Sequence, residues 1–253
     1  MRPSVSHHRP RHVNARIQVI FDYECQDPKF SVDKIMRMQR HFCSPTDDGI
    51  LYINYPMIEA YKDMSEIPDA EYYKKKLTGI DKPGVFYKNQ VKTISALEKY
   101  LGAYDKAIKY CRKYYLSEEI CIETADKLLS LKNDADLKDE LVKLECFSEE
   151  LRENMQHYMC NLIKQYVPEN MSYWDRLREL FVIVASQNIS KGYMLQQRSD
   201  DIHQVTRQMY EDLNYAEILS VQNSCSCRGL PNYVWVLSTC MCILGEYKFF
   251  WKK

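Results

Sequence analysis

Three carboxylates follow a short apolar stretch of the chain at a spacing that suits metal binding. Residues 16–21 (RIQVIF) are rich in β-branched side chains and predict a strand, and Asp22, Glu24 and Asp27 come directly after it. Side chains two positions apart in a strand point to the same face, so Asp22 and Glu24 form a D-x-E pair. Carboxylate oxygens are the ligands that Mg²⁺ prefers, and bound Mg²⁺ (or Mn²⁺) can position a phosphodiester and activate water. The same acids also fit solvated loop positions or a helix cap, and both interpretations stay open.

A second polar group follows the next predicted strand. Residues 50–53 (ILYI) form that strand, Asn54 closes it, and Pro56 suits the first turn of a helix that carries Glu59. The carboxyl ends of parallel strands meet at one edge of a sheet, so Asn54 and Glu59 are expected near Asp22. There they could orient a metal-bound water or a substrate phosphate. The alternative is structural, with Asn54 capping the helix and Glu59 interacting favourably with its dipole.

The elements around these residues predict an α/β start followed by a mainly α-helical body. A helix capped by Ser31 and running to Phe42 joins the two strands, which is the spacing of a parallel βαβ unit. A sheet of two strands is marginal, so an incomplete unit lacking a strand on its N-terminal side is expected. We divide the chain into a disordered basic tail (1–15), the α/β segment (16–90) and a helical domain (91–253).

Apolar residues recur at spacings of three and four over most of the remaining chain, which is typical of amphipathic helices. The segment 78–90 is predicted to be a loop, and residues 234–247 are the last ordered element. The predicted helices cover residues 69–77, 91–115, 117–131, 147–166, 171–197 and 203–219.

Composition narrows the classes of function. The chain has 253 residues, 35 Lys and Arg and 35 Asp and Glu, so no whole-chain positive field favours nucleic acid. A local basic patch remains compatible with nucleic-acid binding. No apolar run reaches the roughly 18 residues that a membrane span needs. Ten cysteines without a signal peptide predict reduced thiols and a cytoplasmic protein.

Two further patterns have a chemical and a structural interpretation. Lys74, Lys75 and Lys76 follow two tyrosines, and this alternation of aromatic and basic residues suits nucleic acid, although a solvated face also explains it. Two C-x-C pairs, Cys225/Cys227 and Cys240/Cys242, could offer four thiolates to zinc. Because C-x-C is tighter than the usual C-x₂₋₄-C and the second pair lies in an apolar run, we expect buried thiols and no zinc.

The two acidic segments together resemble a known family. Residues 19–28 (VIFDYECQDP) followed by residues 51–61 (LYINYPMIEAY) resemble the Toprim-type core of bacterial phage-defence and abortive-infection proteins, and the layout is similar to the RloB-like group. Toprim domains are α/β folds that use Mg²⁺ to cut, join or synthesise phosphodiester bonds. The resemblance implies that Asp22 and Glu24 take the place of the acidic pair. It also implies that Asn54, Pro56 and Glu59 take the place of the later motif.

Two hypotheses of function follow. Toprim domains also have a Glu after an earlier strand, and no acid precedes Asp22, so a shortened and inactive copy or a resemblance of structure alone is expected. The first hypothesis is a Mg²⁺-dependent nuclease-type protein with nucleic acid as partner. The second is a non-catalytic helical module that binds another protein. Under the first hypothesis Asp22, Glu24 and Asp27 bind the metal, and Asp22, Glu24 and Glu59 carry out catalysis. The substrate is bound by Asn54, Lys74, Lys75 and Lys76.

Overall fold

The computed structural model describes residues 17–44, 48–78, 83–114, 117–143, 148–201, 204–226 and 233–252. The predicted tail 1–15, the start of the predicted helix 203–219 and Cys227 lie outside these residues.

The predicted βαβ unit is confirmed. Strand β1 (Gln18–Asp22) pairs in parallel with the later strand Gly49–Tyr55, and the register places Gln18 opposite Ile50 and Asp22 opposite Asn54. Helix α1 (Val32–His41) makes the connection. It begins where predicted, because the Ser31 hydroxyl accepts a hydrogen bond from the Lys34 N–H at 3.3 Å.

The sheet contains more strands than the sequence indicates. Strand β2 (Cys43–Ser44) runs antiparallel to the start of β3 (Gly49–Tyr55). Strands β4 (Lys76–Thr78) and β5 (Tyr233–Trp235) form a separate antiparallel pair, and β6 (Leu237–Ser238) pairs with the end of β3. The C-terminal segment therefore completes both sheets.

Two helix predictions are wrong near the sheet. The predicted helix 69–77 is a 3₁₀ turn over Ala70–Lys74 followed by β4, whose pairing partner is distant in the chain. The helix predicted to begin at Pro56 is a 3₁₀ turn over Ile58–Lys62 that begins after Met57. In both places a partner far away in sequence decides the backbone, which local propensity does not register.

The helical body is confirmed with changed boundaries. The predicted helix 91–115 begins earlier, inside the predicted loop 78–90, and is broken at Ser95, whose hydroxyl accepts from the Glu98 N–H at 3.0 Å and caps the second part. A helix over 134–142 was not predicted, and residues 207–226 form two helices. The helices are α2 (Pro83–Ile94), α3 (Ala96–Cys111), α4 (Glu118–Leu129), α5 (Asp134–Val142), α6 (Glu149–Tyr166), α7 (Tyr173–Gln197), α8 (Arg207–Glu211) and α9 (Tyr215–Ser226). After β6 come 3₁₀ turns over Thr239–Glu246 and Lys248–Trp251.

Two apolar cores lie on opposite faces of β3. Tyr52 belongs to the larger one, with the long helices, and Leu51 and Ile53 belong to the smaller one, with residues of α1 and α9. β1 is an outer strand whose Ile20 and Phe21 are about half exposed. Among the described residues, no helix is both long and apolar enough to cross a membrane.

Candidate functional site

The carboxyl ends of β1 and β3 bring Asp22 and Asn54 into contact. The Asn54 amide Nδ2 donates to Asp22 Oδ1 over 3.4 Å, and the Tyr23 N–H donates to the Asn54 carbonyl over 2.9 Å. Asn54 is completely buried. Its side-chain oxygen accepts a hydrogen bond from the Ser238 hydroxyl at 2.8 Å, so β6 fixes which end of the amide faces Asp22.

Glu59 reaches the same place from the 3₁₀ turn that follows β3. Its side chain is 14% exposed, and Oε1 lies 2.9 Å from the Lys88 ammonium of α2. The other oxygen, Oε2, is buried and has no hydrogen-bond partner among the described residues. A buried acceptor without a partner costs free energy of folding, about 1–3 kcal/mol and more for a charged group. This oxygen is therefore the least satisfied polar atom of the strand ends.

The Asp22 carboxyl is held in an unfavourable electrostatic setting. Burial raises its pKa above the ordinary value, and the negative charges of Glu59 and Glu24 raise it further. Hydrogen bonds from Asn54 and from the Ile58 N–H act in the opposite direction without compensating. The carboxylate form of Asp22 would thus be stabilised by any additional positive charge.

Two residues of the C-terminal segment also lie beside Asp22 and Asn54, and the sequence analysis predicted neither of them at this position. Ser238 and Cys240 flank the site, with Cys240 Sγ 3.2 Å from the Ser238 hydroxyl. Burial raises the pKa of the Cys240 thiol, and the charge of Asp22 adds to this effect. Cys240 is therefore a neutral thiol near pH 7 and a poor nucleophile. Its chain neighbour Cys242 is buried, with its pKa raised to about 12 by burial.

The other two predicted metal ligands, Glu24 and Asp27, line a surface pocket of about 250 Å³ together with Asp22. Glu24 is exposed, its N–H donates to the Asp22 carbonyl at 3.1 Å, and its charge adds to the raised pKa of the Asp22 carboxyl. Asp27 turns into its own loop, where Oδ1 accepts from the Lys29 N–H at 2.7 Å. Within the described part of the chain, no group of three or more His, Cys, Asp or Glu side chains is close enough to hold a metal ion. The groups that could bind a metal ion here are the carboxylates of Asp22 and Glu59, which lie beside the carboxamide of Asn54.

The three predicted phosphate-binding lysines have separate surroundings. Lys74 is exposed and pairs with Glu71 at 3.4 Å, whereas Lys75 is mostly buried and bonded to Asp63 and Asp69. The Lys76 ammonium lies 4.2 Å from the centre of the Trp235 ring. The structure instead brings Lys88 to the acidic strand end, a residue that sequence reasoning missed because nothing in its local pattern points to Glu59.

Comparisons of the chain with protein-family models, with curated proteins and with solved structures find no match. The resemblance to Toprim-type proteins therefore remains a prediction that rests on the two segments themselves.

Proposed function

We propose that the chain binds Mg²⁺ or Mn²⁺ between Asp22 and Glu59 and uses it to cleave phosphodiester bonds, in the manner that the resemblance to Toprim-like phage-defence proteins implies. One observation carries the proposal. One oxygen of Glu59, Oε2, is buried without a hydrogen-bond partner among the described residues, and it lies near an Asp22 carboxyl whose pKa is raised by burial and by the charge of Glu59. Lys88 pairs with the other oxygen of Glu59, so Oε2 and the Asp22 carboxylate are the two groups that a bound cation could join.

The residues present fit a divalent ion of this kind. Mg²⁺ is commonly held by one or two carboxylates, keeps several waters and completes its shell with substrate phosphate oxygens. Asp22 and Glu59 supply two hard oxygen ligands, which is the number of protein carboxylates that Mg²⁺ commonly uses. When bound, the ion would neutralise phosphate charge and lower the pKa of a coordinated water.

The surrounding side chains position and balance the carboxylates. Asn54, held by Ser238, and the Ile58 N–H orient Asp22. Lys88 neutralises Glu59 in the free protein, and its side chain is 62% exposed, so it can turn toward an incoming phosphate. Glu24 stands in solvent two residues after Asp22 and is the remaining carboxylate that can accept a proton from an attacking water.

The cellular setting that we propose is the cytoplasm. The eight cysteines that the structure describes are free thiols, which supports a reducing compartment.

A cleavage assay tests the proposed activity. Labelled single- and double-stranded DNA and RNA are incubated with the protein and Mn²⁺ or Mg²⁺, and the rates of wild type, Asp22→Asn and Glu59→Gln are compared. Loss of either ligand is expected to lower the rate about 100-fold or more, as for other groups that stabilise the transition state. The variant Glu123→Gln/Asp139→Asn, which alters exposed carboxylates of α4 and α5, is expected to match wild type.

The outcomes separate the forms of the proposal. Cleavage that survives both single substitutions would place the activity elsewhere in the chain. Binding of Mn²⁺ without cleavage of any of the four substrates would identify a cation site without nuclease activity and would contradict the proposed catalysis.

A second candidate function is a non-catalytic module that binds another protein. The observation that favours it is the outer strand β1, where Ile17, Ile20 and Phe21 are each about half exposed. Exposed apolar residues on an outer strand are a common means of association through strand pairing. This function is favoured if the wild-type protein neither binds Mn²⁺ nor cleaves any nucleic acid.

A further inference from the structure

A groove between α3 and α6 is lined mainly by polar and aromatic side chains, and none of them belongs to the proposed catalytic site. Its volume is about 610 Å³. Its lining, as far as the described residues show, consists of two lysines, one histidine, three tyrosines, three carboxamide side chains and one leucine, with no carboxylate among them. Its basic and aromatic side chains are Lys106, Lys113, Tyr110, Tyr114, His157 and Tyr158.

The two lysines of the groove carry positive charge that the described residues leave unpaired. Lys106 Nζ is 3.4 Å from the Tyr166 hydroxyl, and Lys113 Nζ lies 5.1 Å from the centre of the Tyr110 ring. Neither ammonium is within ion-pair distance of a described carboxylate. In contrast, Lys164 of α6 pairs with Asp134 at 2.9 Å. Lys106 and Lys113 can therefore interact with an external anion without first giving up a salt bridge.

Packed tyrosine rings form one wall of the groove. Tyr110 stacks on Tyr158 with ring centres 3.8 Å apart and planes within 4°. Tyr114 packs against Tyr110 at 5.5 Å and is 37% exposed, so part of its ring is open to a ligand. Beside this wall, the Asn161 amide lies 3.0 Å from His157 Nε2 and offers polar edges to a planar ring.

We propose that this groove binds single-stranded nucleic acid. Lysines that contact phosphates, tyrosines on which bases stack, and carboxamides that meet base edges are the combination by which proteins hold unpaired strands. A purely phosphate-binding surface would not need the tyrosines, and an acidic peptide would not need the stacking wall. The absence of carboxylates from the lining removes the repulsion that a polyanion would otherwise meet.

The groove lies on the helix that leads away from the acidic strand end. The 3₁₀ turn that carries Glu59 is tied to the start of α3, because Lys62 pairs with Glu98 at 2.6 Å. Since an α-helix rises about 1.5 Å per residue, Lys106 stands roughly 12 Å further along α3 and the end of α3 at Cys111 roughly 20 Å further; Lys113 follows that end. A strand of several nucleotides can span that length. The inference does not depend on the proposed cleavage, because binding in the groove requires neither the cation nor catalysis.

Fluorescence anisotropy tests the inference. The probe is a fluorescein-labelled single-stranded DNA of 12 nucleotides and mixed sequence, titrated with the full chain in EDTA at low salt. Lys106→Glu/Lys113→Glu is expected to weaken binding about 30-fold or more. Loss of the two phosphate contacts is expected to reduce the slope of log K against log salt by about 1.4. The control Lys92→Glu/Lys138→Glu makes the same change of charge at exposed lysines of α2 and α5 and is expected to change affinity less than about 3-fold.

A second variant distinguishes bases from phosphates. Tyr114→Leu is expected to weaken binding of the oligonucleotide about 5-fold or more, the lower bound for loss of one stacked base, and to leave binding of inorganic polyphosphate unchanged. Absence of oligonucleotide binding by wild type would overturn the proposal. So would equal losses in the two charge-reversal variants, or a Tyr114→Leu affinity equal to that of wild type, which would indicate a simple anion patch.

Discussion

Two clusters of charged side chains include residues of the segment that follows β3, and they differ in how completely their charges are partnered. The acidic strand end contains Asp22 and Glu59, with one buried carboxylate oxygen lacking a partner. The second cluster contains Asp63, Asp69 and Lys75, and each charged group there is bonded several times. Both are largely buried, so burial alone does not separate them.

In the second cluster, which we call the saturated cluster, every charged group has several hydrogen-bond or ion-pair partners. The Lys75 ammonium donates to Asp63 Oδ1 at 3.1 Å and to Asp69 Oδ2 at 3.2 Å, and the Tyr87 hydroxyl donates to Asp63 at 3.0 Å. Burial acts to raise the pKa of Asp69, but hydrogen bonds from backbone N–H groups and the charge of Lys75 outweigh it and hold the pKa below its ordinary value. The acidic strand end shows the reverse outcome, since burial prevails there and the pKa of Asp22 is raised.

A buried lysine extends the saturated cluster. Lys191 of α7 is completely buried, and its ammonium donates to the carbonyls of Tyr72 at 2.6 Å and Lys75 at 3.2 Å. Burial lowers its pKa well below the ordinary value. The comparison indicates that the fully partnered charges hold the 3₁₀ turns to α7 and serve stability, whereas the incompletely partnered carboxylates at the strand end are available to a ligand.

The largest expected effect is on the saturated cluster. Lys75→Met leaves two buried carboxylates without their cation and is expected to lower the free energy of unfolding by about 3–5 kcal/mol, measured by urea denaturation. A loss below about 1 kcal/mol would show that the two clusters are energetically alike and would break the comparison.

A smaller loss is expected where the strand end is supported. Ser238→Ala removes the donor to the buried Asn54 oxygen and is expected to cost about 1–2 kcal/mol of unfolding free energy. Because Asn54 then holds Asp22 less firmly, the affinity for Mn²⁺ is expected to fall about 10-fold. Ser186→Ala, which deletes a hydroxyl that bonds only within α7, serves as the control and should leave Mn²⁺ affinity unchanged.

At Asp22 itself the expected change in stability has the opposite sign. Asp22→Asn removes one of two repelling charges, so without divalent ions at pH 7 it is expected to raise the free energy of unfolding by about 0.5 kcal/mol. A loss of several kcal/mol would place Asp22 in the same class as Lys75.

The pH dependence follows from the raised pKa of Asp22. The folded protein holds this proton more tightly than the unfolded chain, so the contribution of Asp22 is most favourable below its ordinary value of 3.8. It is lost as the pH rises through the raised value of the folded state. The free energy of unfolding of wild type minus that of Asp22→Asn, measured from pH 3 upward, should show this decline, because the other carboxyl groups contribute equally to both proteins and cancel in the difference.

The smallest effect on the free energy of unfolding is expected at Lys74, the chain neighbour of Lys75. Lys74→Met changes an exposed lysine that pairs only with Glu71, and its cost is expected to stay within about 0.5 kcal/mol. A loss comparable to that of Lys75→Met would mean that position in the chain, and not bonding, determines the cost.

Local sequence patterns predicted the α/β start because its signals are local. The β-branched stretch, the Ser31 cap and the second apolar stretch each indicate their own element, and the parallel pairing then brings Asp22, Asn54 and Glu59 together. The support of Asn54 by Ser238 was not predictable, since 184 residues separate the two. Lys88 and the pairing of β4 with β5 were missed for the same reason, because only tertiary packing brings their partners near.

Titration calorimetry with Mn²⁺ tests the central claim most directly, namely that the carboxylates of Asp22 and Glu59 form a cation site. Wild type and the control Glu123→Gln/Asp139→Asn are expected to bind one ion with equal affinity. Asp22→Asn and Glu59→Gln are expected to lose this binding while remaining folded by circular dichroism. Absence of binding in wild type, or equal binding in all four proteins, would contradict the account and leave the acidic strand end without a role in holding metal.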